Sequence, residues 1–172
     1  MAPTSAASLR SPRASGATVH AHEWEADIVG GERHAQPVTI LPRQKLRLWP
    51  FQIGLWLNRP KHVPHPVDAT LADGDAFGPL QVIHAPGHSP GHLAFYWPAR
   101  RFLIAGDAVA TWPELCAGWH AFNLNRVQHA ASLTEMAKLE PQIVGVGHGD
   151  PITERASDRL HELAHSLQPE HL

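Results

Sequence analysis

Three short apolar runs, LQVIHA at 80–85, RFLIAG at 101–106 and QIVGV at 142–146, lead into glycine-containing breaks, and each break presents a side chain able to bind a metal ion. His88 follows the first run, Asp107 the second and His148 the third. A sheet delivers side chains to a common rim at its strand ends, and a glycine beside each lets the backbone turn without a Cβ penalty. The pattern therefore asks for a sheet whose strand ends bring an imidazole, a carboxylate and a second imidazole to one point. Two neutral imidazoles and one carboxylate are a partial ligand set for zinc or a similar divalent ion. Taken singly, each has a plainer reading: a strand-end His as a hydrogen-bonded packing residue, an Asp in AGD as a turn or cap.

The flanking sequence supplies the rest of an α/β (α+β) fold. VDATLADGDAFGPLQVIHAP has strand-like ends around the turn signals Asp73-Gly74 and Phe77-Gly78-Pro79, and HLAFYWP and RFLIAGD about a short polar turn read as a hairpin. The sheet is expected to be at least partly antiparallel. NRVQHAASLTEMAKLE places Val127, Ala130, Leu133, Met136, Ala137 and Leu139 near one helical face, and TERASDRLHELAHSL does the same with Ala156, Leu160, Leu163, Ala164 and Leu167. PQIVGVGHGDP between them is a short buried strand running into a glycine-bounded loop. Near the start, ATVHAH has strand character and EWEADIVG one or two helical turns closed by Gly30 and Gly31. The stretch from Pro37 to Pro66 is too rich in proline for long elements; with LWPFQIGLWL it reads as a loop or short-helix excursion, its Trp49, Phe51, Leu55 and Trp56 packing in the core or covering a pocket. Residues 1–15 read as an irregular segment and 16–172 as one domain.

At 172 residues with 43% apolar content and six Trp, the chain has enough for a packed core. A net charge of −2 without a basic stripe argues against nucleic acid as partner. Runs such as FLIAG fall far short of the roughly 18 residues of a membrane span, and the opening residues lack the apolar stretch of a secretory signal. A soluble, cytoplasmic protein is expected. The one cysteine, Cys116, fits a reducing compartment and reads as a small buried filler or, alternatively, a thiol nucleophile. Fourteen histidines favour metal chemistry, although His161, His165 and His171 sit in a polar stretch and read as solvated surface.

These residues resemble the metallo-β-lactamase-fold hydrolases. APGHSPGH resembles that family's glycine-rich third motif, LIAGDAV its strand-end aspartate motif and VGVGHGDPI its C-terminal histidine motif, over roughly residues 16–168. The resemblance implies that His88, Asp107 and His148 bind metal, Zn2+ as one or two ions, with Asp107 bridging where two are present. His92 is then a residue that orients the ligands or supports the structure, or alternatively a further ligand.

The family's earlier H-x-H-x-D-H motif is not in this sequence. His20 and His22 have the right spacing, but Glu23, Trp24 and Glu25 follow, and Asp27 comes too late. GATVHAHEWEADIVGG instead resembles the segment that follows the signature in many members. The expectation is then a partial αββα sandwich, mostly the second sheet with its flanking helices, with half the ligands lacking. A truncated gene, a mispredicted start and a degenerate natural copy all fit.

Two functions follow from the resemblance: a zinc-dependent hydrolase acting on a small-molecule ester, thioester or similar bond, truncated or degenerate with impaired catalysis, or a non-catalytic remnant or interaction module of the same fold. An RNA-processing relative is the third reading, and the charge opposes it. The stretch 49–56 and TWPELCAGWHAFN at 111–123 are expected to line or cover the site, with Trp112, Trp119 and His120 touching substrate or simply packing. An incomplete sandwich exposes the inner face of its sheet, so low soluble yield or a homo-oligomer is expected. Yield and solution mass test this: a compact, cooperatively unfolding monomer would contradict it.

Overall fold

The computed structural model describes residues 16–33, 63–119 and 122–167. The 1–15 segment, Trp49, Phe51, Leu55, Trp56, His120 and His171 lie outside them.

Apolar alternation between 76 and 110 builds one sheet. Strands β3 (Ala76–Phe77), β4 (Leu80–His84), β5 (Leu93–Trp97), β6 (Phe102–Ala110) and β7 (Ile143–His148) lie side by side in that order. The first three pairings are antiparallel and β6–β7 is parallel, as a partly antiparallel sheet requires. The hairpin expected between β5 and β6 turns on a short 3-10 segment, Pro98–Arg100. A parallel pair needs a long crossover, and residues 111–142 supply it, including helix α2 (Arg126–Ala137). Helix α3 (Ala156–Ser166) follows β7. Ahead of the sheet, β1 (His20–Ala21) pairs in parallel with β2 (Ala69–Thr70), and α1 (Glu23–Gly30) follows β1 directly. The described residues form a mixed α/β fold of a five-stranded and a two-stranded sheet, with α2 and α3 packed on one face of the larger.

That face carries the core. Tyr96, Leu103, Ala105 and Val144 from the strands meet Leu133, Met136 and Ala137 of α2 and Leu160 and Ala164 of α3, all buried. Each large side chain so removed from water contributes roughly 1.5–3 kcal/mol before entropy is counted. The predicted stripe of α3 faces inward. On α2 it is rotated: Val127 is 78% exposed, while His129 and Ser132 are buried. The inward stripe is 129, 132, 133, 136 and 137, a clean i, i+3, i+4, i+7, i+8 series, and at 3.6 residues per turn Val127 falls on the side of the helix opposite to it. His129 satisfies its burial by donating from Nε2 to the Ala108 carbonyl at 2.9 Å.

The opposite face is apolar as well. Val82 stands across from Phe95, Phe95 across from Ile104, Trp97 across from Phe102 and Phe102 across from Ile143. Phe77, Ile104 and Ile143 remain 36–40% exposed there.

Helix α1 is fastened to the loop after β4. His22 caps its N-terminus, accepting from Trp24 N–H at 3.2 Å, and its ring stacks on His84 with centroids 4.3 Å apart. Glu25 Oε1 accepts from Gly91 N–H at 3.0 Å. Burial, and then the neighbouring His84, hold the His22 pKa below its ordinary value of 6.5. The folded state therefore keeps His22 neutral at a pH where the unfolded chain already binds a proton. Stability from this group is present above about pH 6.5 and is lost as the pH falls through that value towards the depressed one. The His22→Asn variant keeps a capping side chain and removes the titration, so its melting temperature is expected to fall less than the wild type's between pH 7 and pH 5.

Candidate metal centre

Two antiparallel steps separate β4 from β6, and β6 and β7 are parallel, so β4, β6 and β7 point the same way. Their C-terminal ends share one rim. After β4 the chain turns through Pro86 to Gly91, closed by Ala85 N–H to the His92 carbonyl at 2.9 Å. This loop is tied to the entrance of α2: Asn125 N–H donates to the Gly87 carbonyl at 2.9 Å, and Ser132 Oγ to the Pro86 carbonyl at 2.8 Å. His88 sits at its centre.

Asp107 is not past a strand end, as the sequence suggested, but inside β6, which continues to Ala110. The register against β7 slips between Ile104 and Gly106 and again between Gly106 and Ala110. Gly106, at φ 55°, takes the left-handed turn that the slip requires, and the irregularity re-aims the next side chain towards the rim. His148 is the last residue of β7. Thr111 N–H holds its carbonyl at 2.8 Å, while Thr111 Oγ1 donates to the Asp150 carbonyl at 2.7 Å.

The structure brings the three side chains together around one carboxylate. His88 Nε2 lies 3.7 Å from Asp107 Oδ2, and His148 Nε2 lies 3.4 Å from Asp107 Oδ1. The far nitrogen of His88 fixes its tautomer. Asn123 Nδ2 donates to the Ala117 carbonyl at 2.8 Å, which turns its Oδ1 towards His88 Nδ1 at 3.1 Å. That oxygen only accepts, so Nδ1 carries the proton and, in the neutral ring, Nε2 presents a lone pair to Asp107. A lone pair facing a carboxylate oxygen is repulsive unless a cation lies between them.

Donor atoms on one zinc-sized ion stand about 3–3.4 Å apart, given bonds of about 2.0–2.2 Å. The two imidazole–carboxylate spacings are close to that range. Each imidazole faces a different oxygen, however, and among the described residues no three His, Cys, Asp or Glu side chains form a group that could hold a single ion. Two imidazole–carboxylate pairs, His88–Asp107 and His148–Asp107, thus share one carboxylate.

The remaining histidines at this end are occupied. His92 Nε2 donates to the Ala105 carbonyl at 3.0 Å and its ring meets His88 edge-on, 5.7 Å away. Burial first, and His88 after the raising effect of the Ala105 bond, hold the His92 pKa below the usual imidazole value. His20 meets the Phe77 ring and His22 stacks on His84, away from Asp107. Burial pushes the Cys116 thiol pKa up, assisted by Glu114, which favours the inert filler over the nucleophile. His161 and His165 are exposed on α3. Of the aromatic candidates, Trp119 stacks on His148 with centroids 4.3 Å apart and Trp112 is 62% exposed beside it. Sequence reasoning missed Asn123, which carries no motif, and Gly147. A Cβ on Gly147 would overlap Asp107 Oδ1 and stand 3.0 Å from its Cα, so the close approach of β6 and β7 here depends on hydrogen at that position.

Residues 17–148 match the family model of the metallo-beta-lactamase superfamily. The chain is 36% identical over 165 residues to a probable metallo-hydrolase, YflN, of Bacillus subtilis (strain 168), covering 87% of this chain and 61% of that protein. It is 35% identical over 81 residues to a hydroxyacylglutathione hydrolase of Rhodobacter capsulatus, covering 45% of this chain and 30% of that one. Among solved structures, a metallo-beta-lactamase family protein, TTHA1429 from Thermus thermophilus, superposes with a TM-score of 0.55 at 26% identity, over 89% of this chain and 53% of its own. TTHA1623 in a di-iron-bound form gives 0.57 at 24% identity, over 87% and 66%. The chain thus spans less than two thirds of the length of these relatives.

Gly147→Ala is expected to displace the Asp107 carboxylate at a cost of about 1–3 kcal/mol, the usual penalty of overpacking. Circular dichroism melts should show a folded but destabilised protein, and zinc titration on the same sample should show weakened uptake. An unaltered zinc isotherm would contradict the close approach.

Proposed function

Because this chain belongs to the metallo-β-lactamase superfamily, we propose that it is a metal-dependent hydrolase acting on a small-molecule ester, thioester or similar bond, with zinc as its ion and His88, Asp107 and His148 as ligands. One observation carries the reading: a single carboxylate offers its two oxygens to two imidazole nitrogens at 3.7 and 3.4 Å. The di-iron form of TTHA1623 supports a pair of ions in this fold, and the hydroxyacylglutathione hydrolase matched by part of the chain supports a thioester among the substrates.

A bound divalent ion supplies Lewis-acid polarisation of the scissile carbonyl and lowers the pKa of water near it. The chain's own residues prepare that chemistry. Asn123 keeps the His88 proton on Nδ1, so Nε2 stays available as a donor. Asp107, facing both imidazoles, would hold the ion together with His88 and His148. Trp119 lies flat on His148, fixing its plane and shielding one face from water. Burial first, and Glu114 after it, raise the Cys116 pKa and keep it a thiol.

The competing reading is a non-catalytic module of the same fold, favoured by the absence of H-x-H-x-D-H from these 172 residues. The apolar face bearing Phe77, Ile104 and Ile143 supports a homo-oligomer that covers it.

Metal analysis beside activity separates the two. The full chain, dialysed against roughly micromolar zinc, is expected to retain at least one equivalent and to hydrolyse p-nitrophenyl acetate in a zinc-dependent way. His148→Ala should lose both. Zinc uptake without turnover, or none at all, would favour the non-catalytic module.

A further inference from the structure

Three aromatic rings cluster beside His148 without belonging to the core. Trp119 stacks on His148 at 14° and 4.3 Å, Trp112 meets Trp119 edge-on at 5.9 Å, and Phe122 lies 5.9 Å from Trp119 on a tilted plane. None belongs to the hydrophobic core that joins the sheet to α2 and α3. Trp112 is 62% exposed, the costliest place to leave an indole unless something covers it.

The cluster is built in advance. Trp119 Nε1 donates to the Trp112 carbonyl at 2.9 Å, which satisfies its polar tip and leaves apolar ring faces outward. Ala110 and Cys116 exchange backbone hydrogen bonds of 2.8 and 3.0 Å, closing the segment between them. Thr111 pins that segment to His148 and Asp150, and the Asn123 amide reaches back to the Ala117 carbonyl while meeting His88. A surface held this firmly loses little freedom when a ligand settles on it.

Charge narrows the ligand further. The segments that form the rim, residues 85–92, 105–125 and 142–152, contain no Lys or Arg, but they carry Asp107, Glu114 and Asp150. They offer no Lys or Arg side chain to pair with a carboxylate, sulfate or phosphate on the substrate.

We propose that Trp112, Trp119 and Phe122 form a subsite for an uncharged aryl group attached to the scissile ester or thioester, with Trp112 as its specificity-determining residue. This rests on the reading that His88, Asp107 and His148 are the reacting centre. Trp119 lies against His148, and Trp112 and Phe122 lie against Trp119, so a substrate polarised there would place its flanking group on the aromatic surface. Small acyl groups would leave that surface wet.

Two arms test the subsite separately from the metal reading. With chelator present, 15N-labelled full chain is titrated with phenylacetamide, acetamide and phenylacetate while the indole N–H resonances of Trp112 and Trp119 are followed. Phenylacetamide is expected to shift both, acetamide neither, and phenylacetate to bind several-fold more weakly. With zinc added, benzohydroxamate is expected to bind roughly tenfold tighter than acetohydroxamate, the gain for covering one phenyl ring. Trp112→Ala should bring that ratio near one, and Trp112→Phe should restore most of it. Equal shifts from phenylacetamide and acetamide, equal binding of phenylacetamide and phenylacetate, or a ratio unmoved by Trp112→Ala would overturn the proposal. Aryl binding in the chelated arm without any zinc uptake would leave the subsite standing and sink the metal reading instead.

Discussion

The Asp107 carboxylate is the constraint around which the rim is arranged. Two imidazoles converge on its two oxygens, and neither is free to move away. His88 is held from behind by Asn123, and the His148 backbone is held by Thr111. The carboxylate itself has room only because residue 147 has no side chain. A half-buried acid with a donor lone pair at one of its oxygens is electrostatically uncomfortable, and the discomfort is relieved by a cation. The fold thus stores, in the placement of four or five side chains, a demand for positive charge at one end of the sheet.

That demand is sustained by packing some distance away. The rim loops do not stabilise themselves; Pro and Gly in 85–92 leave few hydrogen bonds within the loop. Their rigidity is borrowed from α2, whose Ser132 and Asn125 bind the loop backbone while Leu133, Met136 and Ala137 anchor the helix to the sheet. The link from core to site runs through one helix. It explains why the buried stripe of α2 includes two polar residues: Ser132 reaches the loop, and His129 reaches the Ala108 carbonyl next to Asp107.

Much of this was legible in the amino-acid order, for physical reasons that differ by element. The β5–β6 hairpin and the α3 stripe were readable because short-range periodicity decides them. The common rim was readable because apolar runs ending at glycine imply strand ends. Three things were not. The bulge in β6 depends on pairing with a strand some forty residues away, and nothing local marks it. The rotation of α2 is set by which helical face meets the sheet, and Val127, opposite the buried stripe of His129, Leu133 and Met136, is 78% exposed where the core was expected. Asn123 acts through a tertiary hydrogen bond across a separation of 35 residues, and an isolated Asn carries no periodic or spacing signal.

The division of donors between two oxygens also bears on how such a site works with few ligands. A single ion held by three donors from one chain would have a closed, self-sufficient geometry. Here each imidazole faces a different oxygen of Asp107, His88 at 3.7 Å and His148 at 3.4 Å, so on the proposed reading each pair would leave positions open for water, substrate or further protein donors. Charge placed at one oxygen of Asp107 would change the field at the other. Asp107 and His148 are only half-buried, and the Trp119 ring stacks on His148 with Trp112 edge-on beside it. If this rim is the reacting centre proposed above, the tethered Trp112–Trp119 pair offers a substrate there a pre-ordered apolar wall.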